Sequence, residues 1–249
     1  MRARRPPARR TVPSGEAGRR FPDFDVLDQT EAWDPATSAT VWQRLQLQPD
    51  LRFFTPAEEA CASALFDLLL AQDGPPARPK VPVLQMIDAR LAENQTDGWR
   101  YQDMPEDGDA WRTTLHALDQ DAADRHSSSF AALTPERQRV LVQAVQDLDG
   151  RNWHGLPASH VWSLWTRYAC TAFYAHPWAW NEIGFGGPAY PRGYARLGVG
   201  LRERWEHPDA SPDDPAATEP AASAPIPAGA GHSRAGPSGA GPSDEEDGT

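Results

Sequence analysis

The spacing of apolar residues along the middle of the chain predicts a series of amphipathic α-helices. The clearest begins at Thr55, because Pro56 follows it and Glu58 stands three residues further on, the spacing of a reciprocal capping box. Apolar positions then recur at helical intervals. These positions are Cys61, Leu65, Leu68 and Leu69.

Five other segments have the same period, and Asp34, Thr134 and Ser159 stand where three of them would take an N-cap. Their predicted inward faces are Val41, Trp42 and Leu45; Leu84, Ile87 and Leu91; Trp111, Leu115, Leu118 and Ala122; Leu141, Val145 and Leu148; and Val161, Trp165, Tyr168 and Ala172. Alternating runs typical of strands are not evident. The predicted fold class is therefore all-α, a bundle of about five or six helices with long, ordered, aromatic-rich connections.

Composition divides the chain into three parts. Residues 1–20 contain seven arginines and one glutamate, and residues 208–249 are rich in Pro, Ala, Gly and Ser with an acidic end. Both parts have too little apolar surface to form a core, so we expect a disordered basic leader and a disordered tail around a helical domain at residues 21–207.

Charge and hydropathy exclude two classes of partner. The chain has a net charge of −11, and its basic residues cluster only in the leader, so the helical domain offers no basic face for nucleic acid. No run approaches the roughly 18 apolar residues that predict a membrane span, so we expect no direct insertion into a membrane.

The stretch HPWAWNEIGFGGPAYPRGY, residues 176–194, is predicted to be an ordered loop. A catalytic loop, a phosphate cradle and a protein-binding surface are the three functions to weigh. The closely spaced Gly184, Gly186 and Gly187 follow a tryptophan-rich segment and precede Pro188, whereas a dinucleotide fingerprint lies between a strand and a helix. This context argues against nucleotide binding.

Candidate residues for metal binding and catalysis are scattered along the sequence. His154, His160, His176 and Glu182 form a candidate metal site that depends wholly on the fold, since their spacing matches no helical ligand pair. His176 is also predicted to lie in the last turn of a helix, as a cation that complements the helix dipole. Neither a nucleophile elbow nor a CxxCH haem motif is present, so we predict no catalytic residue and no cofactor in this chain.

Aromatic residues are the strongest signal. Five of the ten tryptophans lie between residues 153 and 180, beside several tyrosines and phenylalanines. Such side chains dominate both protein cores and the hot spots of protein interfaces. For Trp178 and Trp180 the core and the interface interpretations both stay open.

Three segments resemble a known family. The segments FFTPAEEACASALFDLLL, DQDAADRHSSSFAALTPERQRVLVQAV and FYAHPWAWNEIGFGGPAYPRGYARL are similar to the gluconate 2-dehydrogenase subunit 3 family, over roughly residues 52 to 206. The resemblance implies a helical accessory subunit that binds a large FAD-dependent subunit of the glucose-methanol-choline type, which oxidises the sugar. The resemblance also implies that a multihaem cytochrome c subunit accepts the electrons, and that the small subunit helps the catalytic subunit mature and carries it through the twin-arginine pathway.

Under this resemblance, FAD belongs to the partner and residues 176–194 are the predicted contact. The expected anchors are Trp178, Trp180, Phe185, Tyr190 and Arg192, with Asn181 and Glu182 as polar partners. Two alternatives are a metal-dependent helical enzyme built on the histidines above and a stand-alone interaction protein.

The leader bears on localisation. Residues 1–28 have the arginine pairs of a twin-arginine signal but no apolar core. We therefore expect a cytoplasmic protein from the sequence as written, and a periplasmic or membrane-associated complex if the start site is misassigned.

Overall fold

The computed structural model describes residues 21, 24–46, 50–72, 80–196, 198 and 201–208, and these residues form a mainly helical fold. Their α-helices are α1 (Pro35–Gln46), α2 (Pro56–Leu69), α3 (Val83–Ala92), α4 (Asp107–His126), α5 (Pro135–Gln146), α6 (Ala158–Tyr174) and α7 (Pro177–Ile183). Two 3-10 segments, Val26–Ala32 and Phe130–Ala132, and a hairpin of β1 (Asn152–Trp153) and β2 (Leu156–Pro157) complete the described elements. The predicted all-α fold class is confirmed.

The two ends of the chain lie almost wholly outside the described residues. The predictions of disorder concern residues 1–20 and 208–249, which lie outside the described residues except for Pro208, and they stay predictions. Among the helices that the structure describes, none combines the length and the apolar character needed to cross a bilayer.

Local hydrogen bonds start α1 and α2 where the sequence predicts. The Thr55 hydroxyl accepts a hydrogen bond from the Glu58 amide, and the Glu58 carboxylate accepts one from the Thr55 amide at 2.8 Å, which completes the capping box. At the start of α1 the Asp34 carboxylate accepts hydrogen bonds from the Ala36 and Thr37 amides. Both helix starts are confirmed.

The main core lies between α2, α3, α4, α5 and α6. Its largest fully buried side chains include Trp111, Trp165 and Tyr168. The Trp165 indole N–H donates to the Thr114 hydroxyl at 3.1 Å, so its one polar atom is satisfied inside the core. The inward faces predicted for α4 and α6 are buried, because a 3.6-residue period places these positions on one side of each helix.

A buried carboxylate holds the segment that precedes α2. Asp88 on α3 is 1% exposed and accepts hydrogen bonds from the backbone amides of Arg52, Phe53 and Phe54. Three amide donors offset the cost of burying a carboxylate. The segment before α2 is thereby held against α3.

A second, smaller apolar cluster lies beside the main core. Its buried members are Val26, Trp33, Val41 and Trp180, which come from the first 3-10 segment, the residue after it, α1 and α7. Of the three residues predicted to face inward on α1, only Val41 is fully buried, while Trp42 is exposed. The short α1 therefore buries a narrower stripe than its sequence pattern predicts.

The start of α6 differs from the prediction. Ser159 was expected as the N-cap, but the helix begins at Ala158 directly after β2. The amides of Ala158 and Ser159 donate to the backbone carbonyls of Arg151 and Asp149, so the hairpin rather than a serine hydroxyl satisfies the first turn. The hairpin was not predicted because each strand has two residues, too few for an alternating pattern.

Candidate partner-binding site

The stretch 176–194 begins with a helix rather than a loop. The His176 side chain accepts a hydrogen bond from the Trp178 amide, Pro177 occupies the first turn, and Gly184 ends α7 with φ 66°. Proline at a helix start and a left-handed glycine at its end are favourable termination signals. The loop prediction was wrong for residues 177–183, because a helix of two turns is too short to produce a periodic pattern.

Trp180 is part of the core. Its side chain is 4% exposed, and its indole N–H donates to the Tyr174 carbonyl at 2.7 Å. The ring packs with Val26, Trp33 and Val41 in the smaller apolar cluster. Of the two interpretations that the sequence left open for Trp180, the structure shows the core position.

The three clustered glycines provide space for aromatic rings. A Cβ atom on Gly184 would lie 2.4 Å from the Phe21 ring, one on Gly186 would lie 2.6 Å from the Trp205 ring, and one on Gly187 would lie 2.2 Å from the Trp33 ring. Each distance is far below van der Waals contact, so only glycine fits. The three glycines therefore allow the chain to pack closely on its own aromatic rings.

Two of the predicted contact residues, Asn181 and Arg192, form hydrogen bonds within the chain. The Asn181 carboxamide oxygen accepts a hydrogen bond from the Val26 amide at 2.8 Å. Arg192 donates to the Gln29 side chain and to the Gly186 carbonyl, both at 2.9 Å, and its guanidinium lies 3.8 Å from the centre of the Trp205 ring. Burial lowers the pKa of Arg192 from its usual value, an effect that Tyr194 opposes.

The exposed part of the stretch is smaller than the sequence predicts. Tyr190 is 69% exposed, and Phe185 is partly exposed with its ring edge against Trp180. Trp178 is half-buried against the His176 ring, and Glu182 is half-buried. Tyr190 and Phe185 are thus the two exposed side chains among the seven predicted residues. Ile183 and Tyr194 are exposed in the same stretch, although they are not among the predicted anchors.

His176 is neutral rather than cationic. The side chain is 1% exposed, and burial lowers its pKa to about 4, with a hydrogen bond to the Arg44 backbone opposing the shift and the Arg44 charge reinforcing it. The predicted role of His176 as a cation at the end of α6 is wrong. Arg44 takes that role, because its guanidinium donates to the Ala175 carbonyl at 2.8 Å.

The residues of the candidate metal site have separate partners. His154 pairs with Asp121 at 2.8 Å, His160 pairs with Asp103 at 2.9 Å, and His176 is buried at the start of α7. Within the described ranges, no three His, Cys, Asp or Glu side chains come together as a possible metal site. The structure does not bring the histidines and Glu182 together, so the metal-enzyme alternative has no site there.

Sequence reasoning missed the two segments that cover the stretch. Phe21 and Trp33 approach from the N-terminal side, and Trp205 approaches from the C-terminal side, where His207 stacks on Phe24 with ring centres 5.3 Å apart. The available signal was the combination of three neighbouring glycines with aromatic residues in both flanks. Which aromatic ring packs on which glycine depends on contacts between distant segments, and no local sequence pattern indicates it.

The fold and the site define a helical protein whose aromatic stretch is packed mainly into its own core and leaves a few rings at the surface. The family described as Gluconate 2-dehydrogenase subunit 3 matches residues 56–187, more than half of the chain and the span from α2 to the third clustered glycine. The chain belongs to this family. Searches of curated proteins and of solved structures give no match.

Proposed function

We propose that the chain is a non-catalytic accessory subunit that binds and stabilises a flavin-dependent dehydrogenase of the glucose-methanol-choline type, such as gluconate 2-dehydrogenase. The observation that carries this proposal is the family match over residues 56–187, whose description names a subunit of a larger enzyme. In the proposed complex FAD belongs to the large subunit, this chain holds no cofactor, and a cytochrome c subunit receives the electrons.

The proposed contact consists of the exposed rings in residues 176–194, one of which packs on a buried ring. Phe185 rests edge-on against the buried Trp180, with ring centres 5.5 Å apart, and Tyr190 projects into solvent. Rings held in place lose little conformational entropy when a partner covers them, which favours their use as interface anchors. A subunit that binds only the folded partner raises the partner's free energy of unfolding by mass action.

Two titratable groups in the main core, Cys61 and Tyr168, are structural parts of that core. Burial raises the pKa of the Cys61 thiol, and the Asp119 charge adds to the shift, so the thiol stays protonated at neutral pH. Burial also raises the pKa of Tyr168, with the hydrogen bond to Asp107 as a further cause. Both shifts move these groups away from the range useful to a nucleophile or a general base at neutral pH.

The test is affinity purification of the full chain from its native host, with identification of the co-eluting proteins and a visible spectrum of the eluate. We expect a flavoprotein in near-equal amount and flavin absorbance. A solitary, colourless protein under gentle, low-salt conditions would contradict the proposal.

Variants then test the contact. Phe185→Ala and Tyr190→Ala together should reduce the captured flavoprotein while the helicity of the free chain is retained, because both rings are at least partly exposed. Trp180→Ala is the comparison, since it removes a buried core ring and should reduce stability directly. Undiminished capture by the Phe185 and Tyr190 variant would exclude these rings as anchors.

A further inference from the structure

The connection between α3 and α4 presents two large aromatic rings at the surface. Trp99 is 50% exposed and Tyr101 is 37% exposed, and their ring centres lie 5.5 Å apart in an edge-to-face arrangement. Neither ring belongs to a helix or strand. Exposed tryptophan and tyrosine side chains that lie side by side are typical of interaction surfaces.

Helix α6 holds both rings in place. The Arg167 guanidinium lies 4.5 Å from the centre of the Trp99 ring, and the His160 ring stacks on Tyr101 with centres 3.7 Å apart and planes 2° from parallel. His160 in turn pairs with Asp103 in the same connection. These contacts fix the two rings before any partner arrives.

Ion pairs fix the connection to two helices. Asp97 pairs with Arg90 of α3 at 2.8 Å and also with Arg167 of α6. Next to this group, the Tyr168 hydroxyl donates to the Asp107 carboxylate at 2.5 Å. Charged pairs that are partly shielded from water are screened less by salt than exposed ones, so they hold the connection at moderate ionic strength.

The Trp99 and Tyr101 rings lie beside one side of α6, whose C-terminal part is exposed. His160, Arg167 and Tyr174 follow one another at seven-residue intervals, which places them along one side of the helix over about 21 Å. Between Arg167 and Tyr174 the residues Cys170 and Thr171 are exposed. The C-terminal part of this side faces solvent, whereas the side chains of His160 and Arg167 are 26% and 20% exposed because the connection between α3 and α4 covers them.

This face adjoins the contact proposed above. Tyr174 is exposed, and its carbonyl accepts the Trp180 indole hydrogen bond beneath Phe185. The face also lies wholly within residues 56–187, the family-matched part of the chain. In contrast, rings from outside that part cover Gly184 and Gly187.

We infer that the two rings and this side of α6 form a second docking surface for the large dehydrogenase subunit, next to the contact proposed above. The α6 surface is defined as Trp99, Tyr101, His160, Arg167, Thr171 and Tyr174. The inference rests on the proposed function and adds the place and chemistry of the contact. Asp103, which pairs with His160, and Glu106, which lies beside Trp99, are exposed at its edge. The matching partner surface therefore has an apolar centre that receives the rings and basic groups that face these carboxylates.

The test compares variants of the full chain for capture of the flavoprotein from the native host and for affinity to the purified large subunit. Trp99→Ala with Tyr101→Ala should weaken binding by about tenfold or more, as expected for aromatic anchors. Trp42→Ala is the matched control, because Trp42 is 39% exposed on α1, outside the α6 surface, and its loss should leave binding unchanged.

A second variant keeps the inference falsifiable if the double variant fails to fold. Thr171→Arg adds bulk and positive charge at an exposed position in the middle of the α6 surface, so the free chain should keep its melting temperature and lose binding. Wild-type capture with equal capture by Thr171→Arg would overturn this inference and leave the proposed function standing. No capture by the wild-type chain would overturn both.

Discussion

At the scale of single residues, His176 shows how burial reverses a role suggested by sequence position. A histidine at a helix end is expected to carry a charge, but this side chain is enclosed and accepts a hydrogen bond from the Trp178 amide through Nδ1. Protonation would replace this acceptor with a donor and place a charge beside Arg44. The neutral ring is therefore part of the folded structure.

The lowered pKa of His176 gives a pH dependence of stability. The folded-state pKa of about 4 lies below the ordinary value of 6.5, so the unfolded chain binds the proton more readily. The neutral His176 ring therefore contributes to the free energy of unfolding. This contribution is complete above pH 6.5 and is lost as the pH falls towards 4, by about 3 kcal/mol for a pKa shift of this size. His176→Asn keeps a capping oxygen without a titrating ring, so urea unfolding at pH 7 and pH 4 should show a smaller loss. Equal losses in the two proteins would contradict this account.

Gly187 offers a second test at the residue scale. Its φ is 78° and a Cβ atom would collide with the Trp33 ring, whereas Gly193 has a similar φ of 69° and open space around it. Gly193→Ala should cost about 1 kcal/mol of backbone strain. Gly187→Ala should lower the free energy of unfolding by about 1 to 3 kcal/mol more, because the ring must move. Equal losses in denaturant unfolding would show that the ring moves aside freely.

At the scale of elements, helix starts differ in how firmly they are fixed. Thr55 and Thr134 both precede a proline at the first helical position, but only Thr55 has a side-chain cap, with Glu58 completing the capping box. Glu58 also pairs with Arg112 of α4 at 2.7 Å, which links the start of α2 to a neighbouring helix. Two similar sequence signals thus give different local structures.

This difference predicts unequal effects of the same substitution. Thr55→Ala should lower the free energy of unfolding by about 1 kcal/mol, the usual effect of losing an N-cap. Thr134→Ala should cost only a few tenths of that amount, since no capping hydrogen bond is lost. Thermal unfolding of the two variants compares them directly, and a larger loss for Thr134→Ala would refute the ranking.

The elements also show what sequence periodicity can predict. The predicted inward faces of α4 and α6 are buried, because each helix is long enough to express the period several times. In α2 the predicted Cys61 and Leu65 are buried, but Leu68 and Leu69 are only half-buried. The short α7 and the hairpin were not predicted, since α7 depends on a buried histidine cap and each strand of the hairpin has only two residues. Local pattern therefore predicts the long elements and misses the short ones.

At the scale of the whole molecule, segments outside the family-matched part complete the fold of residues within it. Trp33 and Val41 enclose Trp180, and Phe21 and Trp205 cover Gly184 and Gly186. The Val26 amide binds Asn181 across 155 residues of chain. The matched part alone would expose these contact surfaces to water.

A truncation series tests this dependence. A fragment of residues 56–187 should have a lower melting temperature than the full chain and should bind an apolar dye, because the Trp180 ring and the clustered glycines lose their cover. A fragment of residues 21–208 keeps the covering segments and serves as the control, with a melting temperature close to that of the full chain. Equal stability of the shorter fragment would show that the covering segments contribute little.

The sequence by itself determined the helical class, the capping box at Thr55 and the inward faces of the longer helices, because these follow from contacts within a few residues. Only the tertiary structure decided that Trp180 is buried, that His176 is neutral and that Trp99 and Tyr101 stand beside α6. Those outcomes depend on the packing of distant segments, such as Gln29 with Arg192 across 163 residues. Burial and pKa are properties of the assembled core, and no local spacing encodes them.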